Sequence, residues 1–467
     1  MHERRRDRSG VDAALRDASP TPFWLDDPAR PERRPSLPGD LETDLAVVGG
    51  GYTGLWTALL AKERDPGRDV VLVEGRRIGW AASGRNGGFC AASLTHGEEN
   101  GRRRWPDEYD ELERLGRQNL DEIEDAVARY GIECDFERTG ELTVATEAYQ
   151  VDDLRLGPHD DPDAVSFLER DAVRAEVRSP TYLAGRWDRR GTAMVSPARL
   201  AWGLAEACER AGVRIFEDTP VRRLAGRPLR LETAAGTIRP RQVALGTNVF
   251  PSPLRRTRLH TVPVYDHVLV TEPLSPDQRA AIGWANRQGI GDSANRFHYY
   301  RLTADDRIVW GGYDAIHHPG GRVRDRYDQR PATSRRLAEH FATTFPQLEG
   351  IRFTHAWGGA IDTCTRFCAF YGTAHRGDVA YTAGYTGLGV GASRFGAQVL
   401  LDLLAGEETE RTRLEMVRRR PLPFPPEPVA TVGIGLTRWS LARADRHEGR
   451  RNLWLRALDR AGLGFDS

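Results

Sequence analysis

The chain has 467 residues, and its 67 basic and 67 acidic side chains give a formal net charge of zero. This length suits two or three domain-sized units, and a hydrophobic fraction of 39% with 48 glycines is ordinary for a globular chain. A balanced charge argues against a nucleic-acid-binding protein, which would carry a basic excess or stripe. Lys62 is the only lysine, so a mechanism that needs a lysine has one candidate.

The cysteines and the N-terminal residues bear on the compartment. Five cysteines without framework spacing favour a reducing environment, and the charged start of the chain lacks the apolar segment of a signal peptide. The uncharged stretch 45–61 is short for a membrane span and carries four glycines. We therefore expect a cytoplasmic protein with no membrane partner and no nucleic-acid partner.

The first predicted elements form a strand–helix–strand unit. Residues 1–40 are rich in Arg, Asp and Pro and predict an arm. The apolar run 43–48 predicts a buried strand, 55–61 a helix, and 69–74 a second buried strand. The whole unit has the length of a βαβ motif, which needs about thirty residues.

Later elements alternate between buried α/β segments and amphipathic strands. In chain order they are a helix over 107–130, strands within 133–146 and 184–193, a helix over 197–212, strands over 213–216, 242–247, 264–271, 297–302 and 307–312, a helix over 334–345, a strand over 379–382, and a helix over 393–404. This order predicts an α/β plus α+β fold, in which a discontinuous Rossmann-like domain is interrupted by an antiparallel-sheet domain.

The domain assignment follows the same alternation. It comprises an N-terminal arm over 1–40, a discontinuous nucleotide-binding domain over 41–105, 195–260 and 355–410, a substrate domain over 106–194 and 261–354, and a proline-rich linker with a helical tail over 411–467.

A dinucleotide fingerprint occupies the turn of the βαβ unit. Gly49-x-Gly51-x-x-Gly54 follows the first strand and opens the helix, where backbone N–H groups can meet a pyrophosphate. Glu74 ends the second strand, where its carboxylate can bind ribose hydroxyls and disfavours a 2′-phosphate. FAD or NAD is therefore favoured over NADP. The flanking residues predicted to contact the cofactor are Tyr52, Thr53, Gly75 and Arg76.

A second small-residue segment follows this unit and would let backbone pass close to a flat cofactor; the alternative is a flexible surface loop. Its residues are Ala82, Ser83, Gly84, Arg85, Asn86, Gly87 and Gly88. Here the chain resembles the amine-oxidising flavoproteins of the glycine oxidase, sarcosine oxidase and D-amino-acid oxidase superfamily, most closely the γ-glutamylputrescine oxidoreductase-like branch. The resemblance implies an FAD-binding domain and an amine substrate.

The resemblance also supplies later cofactor residues. It implies adenine packing through the backbone of Val221 and a turn near the cofactor at Gly246 and Thr247. A late glycine turn at the flavin pyrimidine end would comprise Gly384, Gly387, Leu388, Gly389 and Val390. Backbone N–H groups at the helix start there can stabilise negative charge on reduced flavin.

The sequence departs from the family at the oxygen and tether positions. The sarcosine-oxidase branch places a lysine where this chain has Gly391, and Lys62 lies on the wrong helix. The electron acceptor is therefore oxygen or another oxidant. Cys364 and Cys368 lie a few residues beyond the family's tethering position, so we expect noncovalent FAD. They also lack a second ligand pair at zinc spacing, and no metal is predicted.

The catalytic candidates lie in the substrate domain and in the strand after it. Asp314 matches an active-site histidine of the sarcosine branch and would suit an ammonium group, or it caps a turn. The other candidates are aromatic or imidazole side chains that could face flavin or simply pack in the sheet: Tyr265, His267, Tyr300 and Trp357.

Three functions remain open at this stage. The first is FAD-dependent oxidation of an amine, with hydride transfer from the α C–H to flavin N5 and hydrolysis of the imine to an aldehyde or keto product. The second is an amino-acid oxidase or dehydrogenase with an arginine such as Arg301 clamping the substrate carboxylate. The third is a flavin-binding partner protein without turnover.

Overall fold

The computed structural model describes residues 8–156 and 164–464. The strands of these ranges are β1 (Leu41–Val48), β2 (Val70–Val73), β3 (Phe89–Ala91), β4 (Glu141–Ala145), β5 (Val165–Glu169), β6 (Ala184–Asp188), β7 (Thr192–Met194), β8 (Arg214–Phe216), β9 (Arg223–Ala225), β10 (Arg230–Glu232), β11 (Thr237–Leu245), β12 (Val262–Thr271), β13 (Gly289–Asp292), β14 (His298–Leu302), β15 (Ile308–Gly312), β16 (Phe353–Thr363), β17 (Phe370–Ala374) and β18 (Val379–Ala383).

The helices of the same ranges begin with the N-terminal arm. They are α1 (Arg8–Leu15), α2 (Tyr52–Arg64), α3 (Glu98–Arg104), α4 (Tyr109–Tyr130), α5 (Ala148–Leu156), α6 (Arg170–Glu176), α7 (Pro197–Arg210), α8 (Pro276–Ile282), α9 (Pro331–Thr344), α10 (Gly389–Ala405), α11 (Glu410–Arg413), α12 (Glu415–Arg418), α13 (Val429–Asp445) and α14 (Leu453–Arg460).

One sheet has the nucleotide-binding arrangement. Its strand order is β17-β18-β11-β1-β2-β8, and the neighbours from β18 to β8 are parallel. The runs 45–48 and 70–73 are fully buried because helices such as α2 and α7 cover the sheet. Its strands come from separate stretches of chain, so the predicted discontinuous Rossmann-like domain is confirmed.

A second sheet holds the antiparallel strands, in the order β16-β12-β15-β14-β13-β4-β6-β5. Its pairs are antiparallel apart from β13 with β4. One face packs on α9 through a core of large side chains that includes Trp284, Trp310 and Phe341. The other face is turned to the nucleotide-binding domain. The predicted α/β plus α+β class is thereby confirmed.

Two boundaries of the sequence-based division differ in the structure. β16 pairs along its length with β12, so residues 355–363 belong to the antiparallel sheet rather than to the nucleotide-binding domain. Helix α4, placed in the substrate domain from sequence, buries Leu120 and Ile123 in the core that also contains α2 and α10. Amphipathic spacing shows that a helix has a buried face, but the surface that receives this face depends on the tertiary fold.

The C-terminal segment forms helices after a proline-rich stretch, as the sequence predicts. The backbone N–H of Phe424 donates to Leu259 O at 2.6 Å and ties this stretch to the loop before β12. Helices α13 and α14 then pack on each other over the opening between the two domains. Among the described residues, no helix combines the length and apolarity needed to cross a membrane.

Candidate active site

A large cavity lies between the two sheets. Its volume is about 1840 Å³, and its walls include the carboxyl ends of β1, β2 and β11 and one face of the antiparallel sheet. Sites for a single small ligand usually measure roughly 300–1,000 Å³. The cavity is therefore large enough for a dinucleotide together with a substrate.

The predicted glycine turn forms one end of the cavity. Gly49 has φ +113°, and a Cβ there would lie 2.5 Å from Gly246 O. A Cβ at Gly54 would lie 1.9 Å from Gly49 O, so α2 can approach β1 only with glycine at both positions. The N-terminus of α2 consequently opens onto the cavity, where its N–H groups suit a pyrophosphate.

Glu74 is held rigidly at the end of β2. Its carboxylate accepts hydrogen bonds from Gly50 N at 2.7 Å, Arg76 N at 2.8 Å and Trp80 Nε1 at 2.9 Å. Burial raises the pKa of Glu74, while these donors oppose that rise. The carboxylate lines the cavity beside the glycine turn, a placement that fits a ribose hydroxyl pair.

The small-residue segment after β2 is ordered by contacts with the antiparallel domain and by a hydrogen bond within the segment. Arg85 forms an ion pair with Asp328 and donates to Gly358 O at 3.1 Å. Asn86 Oδ1 accepts from Gly88 N at 2.8 Å, which closes the turn. These contacts fix the segment as a cavity wall, and the flexible-loop alternative does not describe it.

The late glycine turn forms the opposite wall. Gly387 has φ +96°, and the turn leads directly into α10. The Asp362 carboxylate accepts from Gly384 N at 2.5 Å, and burial raises the pKa of Asp362 to about 7. Ser393 lines the cavity, and its buried hydroxyl has no hydrogen-bond partner among the described residues. This polar atom and the open N–H groups of the turn fit the polar edge of a bound flavin.

Most of the predicted cofactor residues line this one cavity. They are Gly49, Gly51, Tyr52, Thr53, Glu74, Gly75, Arg76, Ala82, Ser83, Arg85, Asn86, Gly87, Val221, Gly246, Thr247, Gly387, Leu388, Gly389 and Val390. Gly54, Gly84, Gly88 and Gly384 instead lie behind the wall, where a Cβ would approach Gly49 O, Gly79 O, Val195 O and the Cys364 side chain. Their small size permits close packing of the wall, and they do not form the cavity surface.

The five predicted catalytic side chains do not line the cavity. Tyr300 lies in the core against α9, where its hydroxyl and that of Tyr182 are 2.6 Å apart. Tyr265 and His267 also lie on the strand face turned away from the cavity, and burial lowers the pKa of His267 to about 4. Successive strand residues face opposite sides, and the sequence did not show which side faces the cofactor.

Asp314 and Trp357 make structural contacts next to the cavity wall. Arg336 Nη1 binds the two carboxylate oxygens of Asp314 at 3.0 and 2.8 Å, and Thr333 Oγ1 donates to it at 2.8 Å. Asp314 is therefore paired with side chains of α9, a structural role that differs from the turn cap considered from sequence. Trp357 Nε1 donates to Arg85 O at 2.9 Å and so supports the flavin-side segment from behind.

On β12 and β14, the side chains that face the cavity include Asp266 and Tyr299, each adjacent in sequence to a predicted catalytic residue. Tyr299 OH donates to Asp266 Oδ2 at 2.5 Å. The Tyr299 ring lies between two glycines, since a Cβ on Gly87 or on Gly311 would come within 2.5 Å of it. Burial raises the pKa of Asp266 to about 6 and the pKa of Tyr299 well above its usual value. A lone carboxylate inside the apolar run of β12 was the signal in the sequence for this site.

Packing prevents Arg301 from acting as the predicted carboxylate clamp, and it also accounts for a glycine at the family's lysine position. Arg301 is fully buried and donates to Val195 O at 2.7 Å and to Leu302 O at 3.1 Å, outside the cavity lining. A Cβ at Gly391 would lie 2.1 Å from Ala91 O, so a lysine cannot replace this glycine without a backbone shift. Lys62 donates to Arg68 O at 2.9 Å and does not line the cavity.

The cysteines near the family's tether position lie outside the cavity lining. Cys364 and Cys368 are buried free thiols behind the cavity wall, and Cys364 Sγ donates to Cys368 O at 3.1 Å. In the part of the chain that the structure describes, no group of three or more His, Cys, Asp or Glu side chains could hold a metal ion.

Comparison with known proteins agrees with this geometry. The family model described as "FAD dependent oxidoreductase" matches residues 44–403, and the chain belongs to this family. The protein is therefore an FAD-dependent oxidoreductase, and this assignment favours the two enzymatic functions over a flavin-binding protein without turnover.

Individual relatives cover most of the chain. Gamma-glutamylputrescine oxidoreductase of Escherichia coli is 30% identical over 387 residues, covering 80% of this chain and 86% of that protein. The probable oxidoreductase OrdL of Haemophilus influenzae is 25% identical over 399 residues, covering 83% and 88%. The fold is shared with glycine oxidase of Geobacillus kaustophilus, with TM-score 0.65, 19% identity and coverage of 81% and 99%.

Proposed function

We propose that this oxidoreductase removes hydride from the α carbon of an amine at the Asp266–Tyr299 pair. The supporting observation is that a half-buried, ionisable carboxylate shares a wall with the flavin-side residues Asn86 and Gly87. FAD, when bound, supplies the hydride acceptor at flavin N5. The residues of the chain bind the amine, set its protonation state and exclude water.

The carboxylate of Asp266 has two roles in this proposal. Ionised, it attracts a substrate ammonium group and accepts one of its protons, which leaves the neutral amine that can release hydride. The Tyr299 hydroxyl donates to the carboxylate and fixes its orientation. After the C–H bond breaks, water attacks the iminium carbon, and an aldehyde or keto product leaves with ammonia or an amine.

The contacts of Arg301 favour an amine over an α-amino acid. Its guanidinium is occupied by backbone carbonyls and lies outside the cavity lining, so the clamp that motivated the amino-acid alternative is not available there. The two substrate classes separate in an anaerobic experiment. Purified flavoprotein is mixed with an amine or with its α-carboxylated counterpart, and bleaching of the flavin absorbance is followed.

The expected result is faster bleaching with the amine, and loss of most of that rate in Asp266→Asn. Asp314→Asn is the matched control, because Asp314 follows β15 of the same sheet and lies outside the cavity lining. Bleaching by α-amino acids alone would sink the amine proposal. An equal loss of rate in both variants would remove Asp266 from its proposed role.

Three further properties belong to the same proposal. FAD is held noncovalently, because the cysteines near the family's tether position are buried behind the wall. Five buried free thiols favour a reducing compartment, namely the cytoplasm. The acceptor is oxygen or another oxidant, and the rate at which reduced enzyme reoxidises in air distinguishes an oxidase from a dehydrogenase.

A further inference from the structure

The C-terminal segment covers the substrate end of the cavity. It lies beyond the stretch matched by the family model, which ends at residue 403. The inward face of α13 lines the cavity through side chains that include Ile434, Thr437, Arg438 and Leu441. This wall is mostly apolar, so its one charged member stands out as a polar recognition element.

Arg438 has no carboxylate of the described ranges within ion-pair distance, whereas its neighbours Arg296 and Arg336 both do. Arg438 Nη1 donates a hydrogen bond to Ala315 O at 3.5 Å, and the side chain is half-buried. The charged groups that face it are Asp314, Arg296, Arg330 and Arg336. Of these groups, Asp314, Arg296 and Arg336 form ion pairs of their own.

The ion pairs formed by neighbouring charged side chains leave the positive charge of Arg438 without a partner. Asp314 is bound by Arg336 at 2.8 Å. Arg296 lies 3.6 Å from Asp445 and stacks on the ring of Tyr313. Arg330 is exposed to solvent. One half-buried guanidinium therefore faces the cavity without a counter-ion, and this arrangement attracts a single negative charge.

Arg438 contacts a segment that is hydrogen-bonded to β12, the strand that carries Asp266. Ala315 precedes Ile316, whose backbone exchanges hydrogen bonds of 2.9 and 2.7 Å with Tyr265. Tyr265 directly precedes Asp266. The anion position thus lies beside the strand that carries the carboxylate, while the two charges belong to different chain segments. Both side chains line the same cavity, so one extended molecule can contact both.

We propose that Arg438 is a specificity-determining residue that binds a carboxylate on the substrate, remote from the reacting amine carbon. The inference rests on the proposed function and narrows its substrate class to amines that carry a distal carboxylate. A single guanidinium matches a monoanion and can bind it through two parallel N–H donors. The helix that carries Arg438 would then select substrates that the flavin domain alone does not distinguish.

The test compares two amines of equal chain length, an ω-amino carboxylate and an n-alkylamine. Anaerobic flavin bleaching gives kcat/KM for each, and their ratio measures recognition of the carboxylate. The ratio should favour the ω-amino carboxylate and fall on the order of tenfold in Arg438→Gln, with KM carrying the change. Arg438→Lys should restore part of the ratio. Arg443→Gln, an exposed position on the same helix, is the control that should keep it.

A second readout does not depend on turnover. Pentanoate, which has the carboxylate but no amine, should bind oxidised holoenzyme and perturb the flavin spectrum, and Arg438→Gln should weaken this binding. An unchanged ratio in Arg438→Gln, or equal binding of pentanoate to both proteins, overturns the inference while the amine proposal stands. If neither amine bleaches the flavin, the amine proposal fails, and pentanoate binding alone then decides the role of Arg438.

Discussion

Asp266 is a carboxyl group that its buried position makes harder to ionise, with a pKa raised to about 6. Because the folded-state pKa lies above the unfolded value, the ionised form destabilises the protein at neutral pH. This penalty disappears as the pH falls from about 6 toward the unfolded value of about 4. The same ionised form is the one that the proposed reaction uses. Stability and activity therefore make opposite demands on this residue.

Asp266→Asn should lower kcat/KM for an amine by about two to four orders of magnitude, the range of general-base effects. It should also remove the limb of the pH profile near 6 and raise the thermal midpoint at pH 8. Calorimetry and pH-dependent bleaching measure the two effects. The exposed Glu408→Gln serves as control and should move neither. A pH profile that survives intact in Asp266→Asn would contradict the assignment.

Gly391 is constrained by a backbone atom, Ala91 O, rather than by a flexible side chain. Gly391→Ala should therefore destabilise the protein by about 1–3 kcal/mol, as overpacking in a core does. Gly435→Ala is the matched helical control, because a Cβ there meets nothing within 4 Å. Denaturant unfolding measures both. Equal stability in the two variants would show that the turn can move, and a lysine route to oxygen would become available at this position.

At the scale of elements, β16 links the two halves of the site. Its Trp357 supports the flavin-side segment through one hydrogen bond to Arg85 O, so Trp357→Phe leaves that carbonyl without its donor. The cost should be about 1–3 kcal/mol, with weaker retention of FAD. Flavin release during dialysis and thermal unfolding check this result.

The control for this variant is Trp310→Phe, a tryptophan in β15 that is equally buried. Its Nε1 has no hydrogen-bond partner among the described residues, so the substitution removes no bond. Its effect should be confined to packing, and FAD should be retained. If the two variants release FAD alike, the hydrogen bond from Trp357 is not what holds the segment.

The two faces of a strand explain why the strands themselves were easier to predict than the side chains that face the cofactor. Runs such as 43–48 and 264–271 predict strands from composition and length alone, and both are found within β1 and β12. Successive residues of a strand face opposite sides of the sheet, so the cofactor can meet either the even-numbered or the odd-numbered residues of β12. A shift of one residue would replace Asp266 at the cavity by Tyr265 or His267. Pairing with β16 and packing on α9 decide which of the two sets faces the cavity, and both contacts are distant from β12 in sequence.

At the scale of the whole molecule, the cofactor cavity joins three separate stretches of the nucleotide-binding domain to the antiparallel sheet. A ligand in this cavity binds only when both domains are folded. Removing FAD should therefore lower the thermal midpoint, by the equivalent of about 2.7 kcal/mol relative to FAD present at a hundred times its Kd. Calorimetry of holoprotein should give one transition. Two transitions, with only one moved by FAD, would contradict this coupling.

The sequence by itself determined the class of cofactor site. Gly49, Gly51 and Glu74 act through backbone geometry and local spacing, which are encoded within about thirty residues of a βαβ unit. The tertiary structure decided what surrounds the reacting end: the Asp266–Tyr299 pair, the occupied Arg301 and the cover over the cavity that carries Arg438. These depend on contacts between residues hundreds of positions apart. The composition that left one lysine did not decide the chemistry, because packing around Gly391 excludes a lysine there in any case.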